Sequence, residues 1–238
     1  MARKLADIEK SIKESSIDFY THLARILPPA VWDFLNVLMS RTDVYLFSGV
    51  IRNYFINRKN DALRDIDFII TKEVNIDELF PEMNVRKNSF GGSKIFIGGL
   101  TVDLWMIKST WALNQGQMKM EFDLLNHLPD TTFFNFSSIL FSLKDKKFII
   151  GKHFLRFLRD KKLDVVLETN PYPALCIVNS FYYANKFNLK LSGKLEEYIL
   201  KNYRQNIELF DQTQLKHFGR IMYSQTELIH RIKLIESY

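Results

Sequence analysis

The spacing of apolar and polar positions divides the chain into a helical start, a strand-rich middle and a helical end. Leu5, Ile8, Ile12, Ile17, Tyr20, Leu23 and Leu27 recur at helical spacing. They predict helix over residues 3–27, with Ser15-Ser16 as an interruption. Pro28-Pro29 ends it, because proline disfavours helix in the residue before it. Proline is tolerated in a first turn, so a second helix starts there and runs through Val31-Trp32-Asp33-Phe34-Leu35 to Met39. Both helices read as packing elements.

The middle opens with an apolar run, Val44 to Phe47, and a small pair, Ser48-Gly49. An amphipathic run, Val50 to Asn57, and a polar loop, Arg58 to Leu63, lead into Arg64-Asp65-Ile66-Asp67-Phe68-Ile69-Ile70. This last piece reads as a buried strand. Asn75 to Met83 reads as a short helix. Val85 to Ser89, a Gly91-Gly92 turn and the runs Lys94–Ile97 and Leu100–Ile107 follow. Gly98-Gly99 between the last two runs is a hairpin signal.

Strand side chains alternate faces, so Asp65 and Asp67 point one way while Ile66 and Phe68 point into a core. Two acids on one strand face repel each other. The usual remedy is a divalent cation, and hard carboxylate oxygens suit Mg²⁺. A bare Asp-x-Asp is more often a solvated turn. Here it follows a strand, a small pair and a helix, and helix N-termini with exposed backbone N–H groups receive anions. A phosphate cradle beside a metal-binding acid pair is the layout of a phosphoryl or nucleotidyl transferase.

Ser48-Gly49-Val50-Ile51-Arg52-Asn53, followed by Arg64-Asp65-Ile66-Asp67-Phe68, resembles the head-domain signature of the CCA-adding enzymes and bacterial poly(A) polymerases, members of the polymerase-β-like nucleotidyltransferases. That signature reads Gly-Gly-x-Val-Arg-Asp, a loop, then Asp-x-Asp. Ser48 stands for its first Gly and Asn53 for its Asp. The resemblance implies two-metal nucleotidyl transfer, in which two Mg²⁺ (or Mn²⁺) ions about 3.5–4 Å apart clamp the attacking and leaving oxygens. Catalytic and metal-ligand roles then fall to Asp65, Asp67 and Asp103. Two readings are open for Asp103: a surface acid on an edge strand, or the third carboxylate that the superfamily takes from a neighbouring strand. Ser48 and Gly49 would approach the triphosphate. Arg52 and Arg64 are phosphate partners or structural ion pairs. Trp105 shares the strand face of Asp103 and, with Lys108, is a possible acceptor contact; core packing is the other reading of Trp105 and the expected one for Trp111.

The similarity runs in weaker letters through residues 40–200. Phe134 to Leu143, a turn at Lys144–Lys147 and Phe148-Ile149-Ile150-Gly151 are similar to the segment after the family's Arg-Arg-Asp triplet, but the chain has Thr131-Thr132-Phe133 there. Asn170-Pro171 and the helix ending at Tyr183–Leu189 are similar to the family's neck helix. Cys176, Asn179 and Tyr182 or their neighbours replace its arginines, and its base-reading Glu-Asp-x-x-Arg is absent. Selection of CTP and ATP is therefore not carried over. After Leu191 the pattern is helical, with Ser192 as a cap for residues 193–202 and a later helix through Leu228 and Ile232. Lys216, His217, Arg220, His230, Arg231 and Lys233 make this end basic.

The expected fold is α+β. A nucleotidyltransferase head with a mixed β-sheet and N-terminal helices takes residues 1–150, and a mostly helical part takes 151–238. The 238 residues are 47% hydrophobic and 14% aromatic, enough for a sizeable core. The net charge of +6 permits nucleic-acid contact without demanding it. The single cysteine, Cys176, allows no internal disulfide. No run approaches the ~18 apolar residues of a membrane span, and the N-terminus lacks the apolar segment of a signal peptide, so a cytoplasmic protein is expected. The expected partners are a nucleoside triphosphate and an acceptor: an RNA or tRNA end, a small molecule or a protein. The alternative is a non-catalytic nucleotide- or RNA-binding module that retains the fold.

Overall fold

The computed structural model describes residues 3–47, 49–57, 62–87, 92–114 and 124–237. The chain forms two compact units, Met1–Thr132 with Phe136–Arg159, and Phe133–Asn135 with Asp160–Tyr238. The mixed sheet of the first and the helices of the second make the protein α+β, as its sequence predicts.

The first unit begins with α1 (Leu5–Glu14), α2 (Ser16–Ile26) and α3 (Pro29–Met39). Ser15 divides the first two, and its hydroxyl donates back to the Ile12 carbonyl. Pro28 ends α2, and Pro29 occupies the first turn of α3. The sheet strands are β1 (Val44–Phe47), β2 (Asp65–Ile70), β3 (Val85–Lys87), β4 (Ser93–Ile97), β5 (Leu100–Met106), β6 (Ile139–Ser142) and β7 (Lys147–Ile150). Between them lie α4 (Gly49–Phe55), α5 (Ile76–Leu79), α6 (Trp111–Asn114) and α7 (Leu124–His127), and α8 (Lys152–Asp160) follows β7. The sheet order is β3-β4-β5-β2-β1-β6-β7. Among the described residues β2 and β5 run parallel and all other neighbours run antiparallel.

Period-two alternation gives the sheet two unlike faces. On one, Leu46, Ile66, Phe68, Val102, Leu104 and Phe141 are buried. The N-terminal helices cover it: the Phe19 ring of α2 lies 4.9 Å from Phe141 and 5.1 Å from Phe148. The other face is divided. Towards β1 and β6 it carries a small core of Tyr45, Ile69, Ile107, Leu128 and Leu140, with Phe47, Trp105, Leu125 and Ile149 packed against it. Towards β4 it presents Asp65, Asp67, Asp103, Lys94 and Phe96.

The Gly98-Gly99 hairpin forms as the sequence predicts, both glycines having positive φ. The helix expected over residues 75–83 shortens to α5, with Asn75 capping it by accepting from the Glu78 amide. Residues 81–83 turn instead, because the Pro81 ring has no N–H to continue the helix. Within the loop expected over residues 58–63, positions 58–61 lie outside the described residues, as do residues 88 and 89 and Gly91.

The second unit contains β8 (Lys162–Leu163), α9 (Pro173–Phe187), β9 (Lys190–Leu191), α10 (Gly193–Asn206), α11 (Phe210–Phe218) and α12 (Gln225–Glu236). Ser192 caps α10: its hydroxyl accepts from the Leu195 amide and donates to the Asp164 carboxylate. Asn135 completes this clasp, donating to the Lys162 carbonyl and accepting from the Asp164 amide. Gln214, fully buried, accepts from the Met222 and Tyr223 amides and donates to the Tyr223 carbonyl, which fixes the turn before α12. Among the described residues no helix is long and apolar enough to cross a membrane.

Two substitutions test this packing. A Cβ at Gly98 would lie 2.9 Å from Pro28 Cβ at a φ of +57°, so Gly98→Ala should lower unfolding stability by about 2 kcal/mol or more in urea titration. Ser192→Ala should cost about 1 kcal/mol through loss of the cap. Unchanged midpoints would refute these assignments.

Candidate functional site

The open half of the sheet is built from strand register. Asp67 on β2 lies directly beside Asp103 on the parallel strand β5, and Asp65 precedes it on the same face beside Thr101. Across the hairpin Asp103 pairs with Lys94, and Thr101 pairs with Phe96. On its other side Asp67 pairs with Phe47 at the end of β1, where the chain turns into α4. Two rows result, Lys94–Asp103–Asp67–Phe47 and Phe96–Thr101–Asp65. The structure thus brings together all three acids singled out in the sequence, and Asp103 lies inside the sheet rather than on its edge.

The acids differ in surroundings. Asp65 is exposed and pairs with Arg64 Nη2 at 3.2 Å. Asp103 pairs with Lys94 Nζ at 3.2 Å. Asp67 sits between them. Burial, then the charge of Asp103, then that of Asp65 push its carboxyl up from 3.8 to about 7, although Lys94 and Arg52 pull it down. Its charge is therefore undercompensated. Among the described residues no three His, Cys, Asp or Glu side chains converge closely enough to hold an ion. The carboxylates repel one another, and the outer two pair with Arg64 and Lys94. The donor set itself, three carboxylates with the middle one short of positive charge, fits a hard divalent cation.

Arg52 leaves α4 and is buried, its guanidinium donating twice to Asn53 Oδ1 and lying 4.7 Å above the Phe136 ring. Its positive charge lowers the pKa of the Asp67 carboxyl. Asn53 therefore performs the orienting task open to an Asp there, without the charge. A Cβ added at Gly49 would meet nothing within 4 Å, so the backbone at the β1–α4 turn has open space beside it. Ser48 lies outside the described residues, as does the Trp111 side chain. Trp105 is half-buried in the smaller core, edge-on to Phe47 at 6.0 Å. Lys108 is exposed in the 3₁₀ turn Ile107–Ser109. Thr131 and Thr132 spend their hydroxyls on the carbonyls of Leu128 and Pro129.

Lys94 and Phe96 were not singled out from the sequence. A signal for both was available: counting back from a two-residue Gly98-Gly99 turn pairs 96 with 101 and 94 with 103.

The position of Asp67 makes a pH prediction. Its carboxyl is raised in the folded state, so its stabilising contribution is complete below about pH 4 and lost as pH rises through about 7. The displacement corresponds to at most about 4 kcal/mol. In metal-free buffer, unfolding free energy should fall with pH over this window, and Asp67→Asn should flatten the slope. Identical slopes in both proteins would contradict this electrostatic picture.

No protein-family model matches the chain, and no curated protein does. Solved structures do. A CCA-adding enzyme in complex with CTP superposes with a TM-score of 0.64 at 14% identity, over 91% of this chain and 54% of that one. A tRNA-processing enzyme with CTP gives 0.58 at 17%, over 85% and 55%. A tRNA nucleotidyltransferase complexed with a primer tRNA and an incoming ATP analog gives 0.57 at 18%, over 85% and 60%. The chain spans little more than half the length of these proteins. At such identities the likeness concerns architecture, and the chain has the fold of the polymerase-β-like nucleotidyltransferases that includes the CCA-adding enzymes.

Proposed function

We propose that the protein transfers a nucleoside monophosphate from a nucleoside triphosphate to a hydroxyl acceptor. The observation that carries this reading is the Asp67–Asp103 register pair, with Asp65 one step along β2 and the middle carboxyl undercompensated. Asp65, Asp67 and Asp103 would hold Mg²⁺ or Mn²⁺. Bound there, the ions would supply charge neutralisation on the triphosphate and activation of the acceptor hydroxyl.

The chain's own residues have positioning tasks, as in other phosphoryl transfers. Gly49 leaves room for phosphates at the end of β1, and Ser48 precedes it in the sequence. Arg52, held by Asn53, directs positive charge toward the acid face. Arg64 and Lys94, which pair with Asp65 and Asp103, would bring positive charge to the phosphate oxygens. In the transfer the acceptor oxygen forms a bond to the α-phosphorus, and the bond from that phosphorus to the bridging oxygen breaks. Pyrophosphate leaves, and the hydroxyl proton passes to solvent. The similar structures are complexes with CTP or with a primer tRNA and an ATP analog, which supports a triphosphate and an RNA end as partners here.

A second reading is a non-catalytic nucleotide- or RNA-binding module. The hydroxyl and phenyl groups of Thr131-Thr132-Phe133 favour it, because they put no charge where the resembled family carries three charged side chains.

Incubation with each labelled triphosphate, Mg²⁺ or Mn²⁺ and a total RNA fraction separates the two. Transfer of label with release of pyrophosphate is expected, and chelation or the double change Asp65→Asn/Asp67→Asn should abolish both. Saturable triphosphate binding without turnover on RNA, small-molecule or protein fractions would overturn the enzyme reading in favour of the module.

A further inference from the structure

Phe96 has the highest exposure of any large apolar side chain among the described residues, at 73%. It stands on β4, on the open face that carries the acids, beside Thr101 and in the row that ends at Asp65. Its strand neighbour on that face is Lys94, and Lys94 pairs across β3 with the exposed Arg86. The next positions along β4, Ile95 and Ile97, are buried on the opposite face. The alternation of β4 therefore delivers one aromatic ring to water amid cations.

We propose that Phe96 is a stacking platform for a nucleobase at the end of a single-stranded RNA acceptor, with Arg86 and Lys94 facing its phosphates; the proposal rests on the nucleotidyl-transfer reading above. Two features favour a nucleic-acid strand over an apolar protein surface. Among the described residues the neighbours of Phe96 on this face are Thr101, Lys94 and, further along the rows, Asp65 and Arg86, none of them a large apolar side chain. An exposed aromatic beside a cationic track is also how single strands are bound without base-specific contacts. Position favours the acceptor over the triphosphate. Gly49 and Arg52 belong to α4, which follows β1 on one side of β2, whereas Phe96 stands on β4 on the other side, across β5. Two strand spacings, about 10 Å, separate Phe96 from the Asp65 strand. A terminal nucleotide stacked there would extend its hydroxyl toward the acids.

The test is fluorescence anisotropy of the full chain with a labelled six-nucleotide RNA of mixed A and C, without triphosphate or metal. Wild-type binding is expected, weakened about five- to hundredfold by Phe96→Ala. Phe96→Trp should retain it. The salt dependence of binding should keep its slope in Phe96→Ala and lose about one unit of slope in Arg86→Ala. Equal RNA affinity in wild type and Phe96→Ala, or no RNA binding by wild type, would overturn the proposal. So would a loss confined to ATP binding in Phe96→Ala, which would assign the ring to the donor. RNA binding that depends on Phe96, with no label transferred in the separate assay that contains triphosphate and metal, would sink the nucleotidyl-transfer reading alone. Transfer to a non-RNA acceptor, with no RNA bound, would sink only this one.

Discussion

The parallel pairing of β2 with β5 places the carboxylates of Asp67 and Asp103 side by side, and the rest of the first unit is arranged around that repulsion. One face of the sheet is filled with apolar side chains, which gives β2 and β5 no freedom to separate or shift. A one-residue slip would turn Phe68 and Leu104 out to water and the acids into the core. Core packing thus enforces an unfavourable electrostatic contact. The pairs Arg64–Asp65 and Lys94–Asp103 relieve the flanks, and Lys94 and Arg52 relieve the centre only in part.

The division of the open face follows from the same register. Where β1 and β6 continue the sheet beyond β2, the face is apolar, and Leu128 and Ile107 close over it. Where β4 adjoins β5, it is charged. Trp105 stands at the border. It has the strand parity of Asp103, yet its ring packs with Phe47 in the closed half. Parity fixes which face a residue takes and says nothing about how far along that face the cover extends.

Much of this was legible in the residues. The proline pair, the interrupted first helix, the Gly-Gly hairpin and the Ser192 cap are local chemistry, and each was read from a few adjacent letters. The alternation through Asp65–Ile70 and Leu100–Met106 likewise gave the faces. The partnership of β2 with β5 was not readable, because a parallel crossover has no turn from which to count register. The resemblance to nucleotidyltransferases supplied Asp103 as a candidate, and the structure supplies the neighbour relation. The partners of the outer acids escaped the reading for a different reason. Lys94 looks like an ordinary solvated lysine until hairpin register sets it opposite Asp103.

That hairpin also bears on the order of folding. Residues 94 and 103 are joined by a two-residue turn, whereas residues 67 and 103 belong to strands linked by a long crossover. Contacts close in sequence form with less loss of chain entropy than distant ones. Chain entropy therefore favours pairing of Asp103 with its ammonium counterion before β5 docks beside Asp67. The lysine that shields the acid in the finished sheet acts first as an escort, lowering the electrostatic barrier to docking β5 against β2.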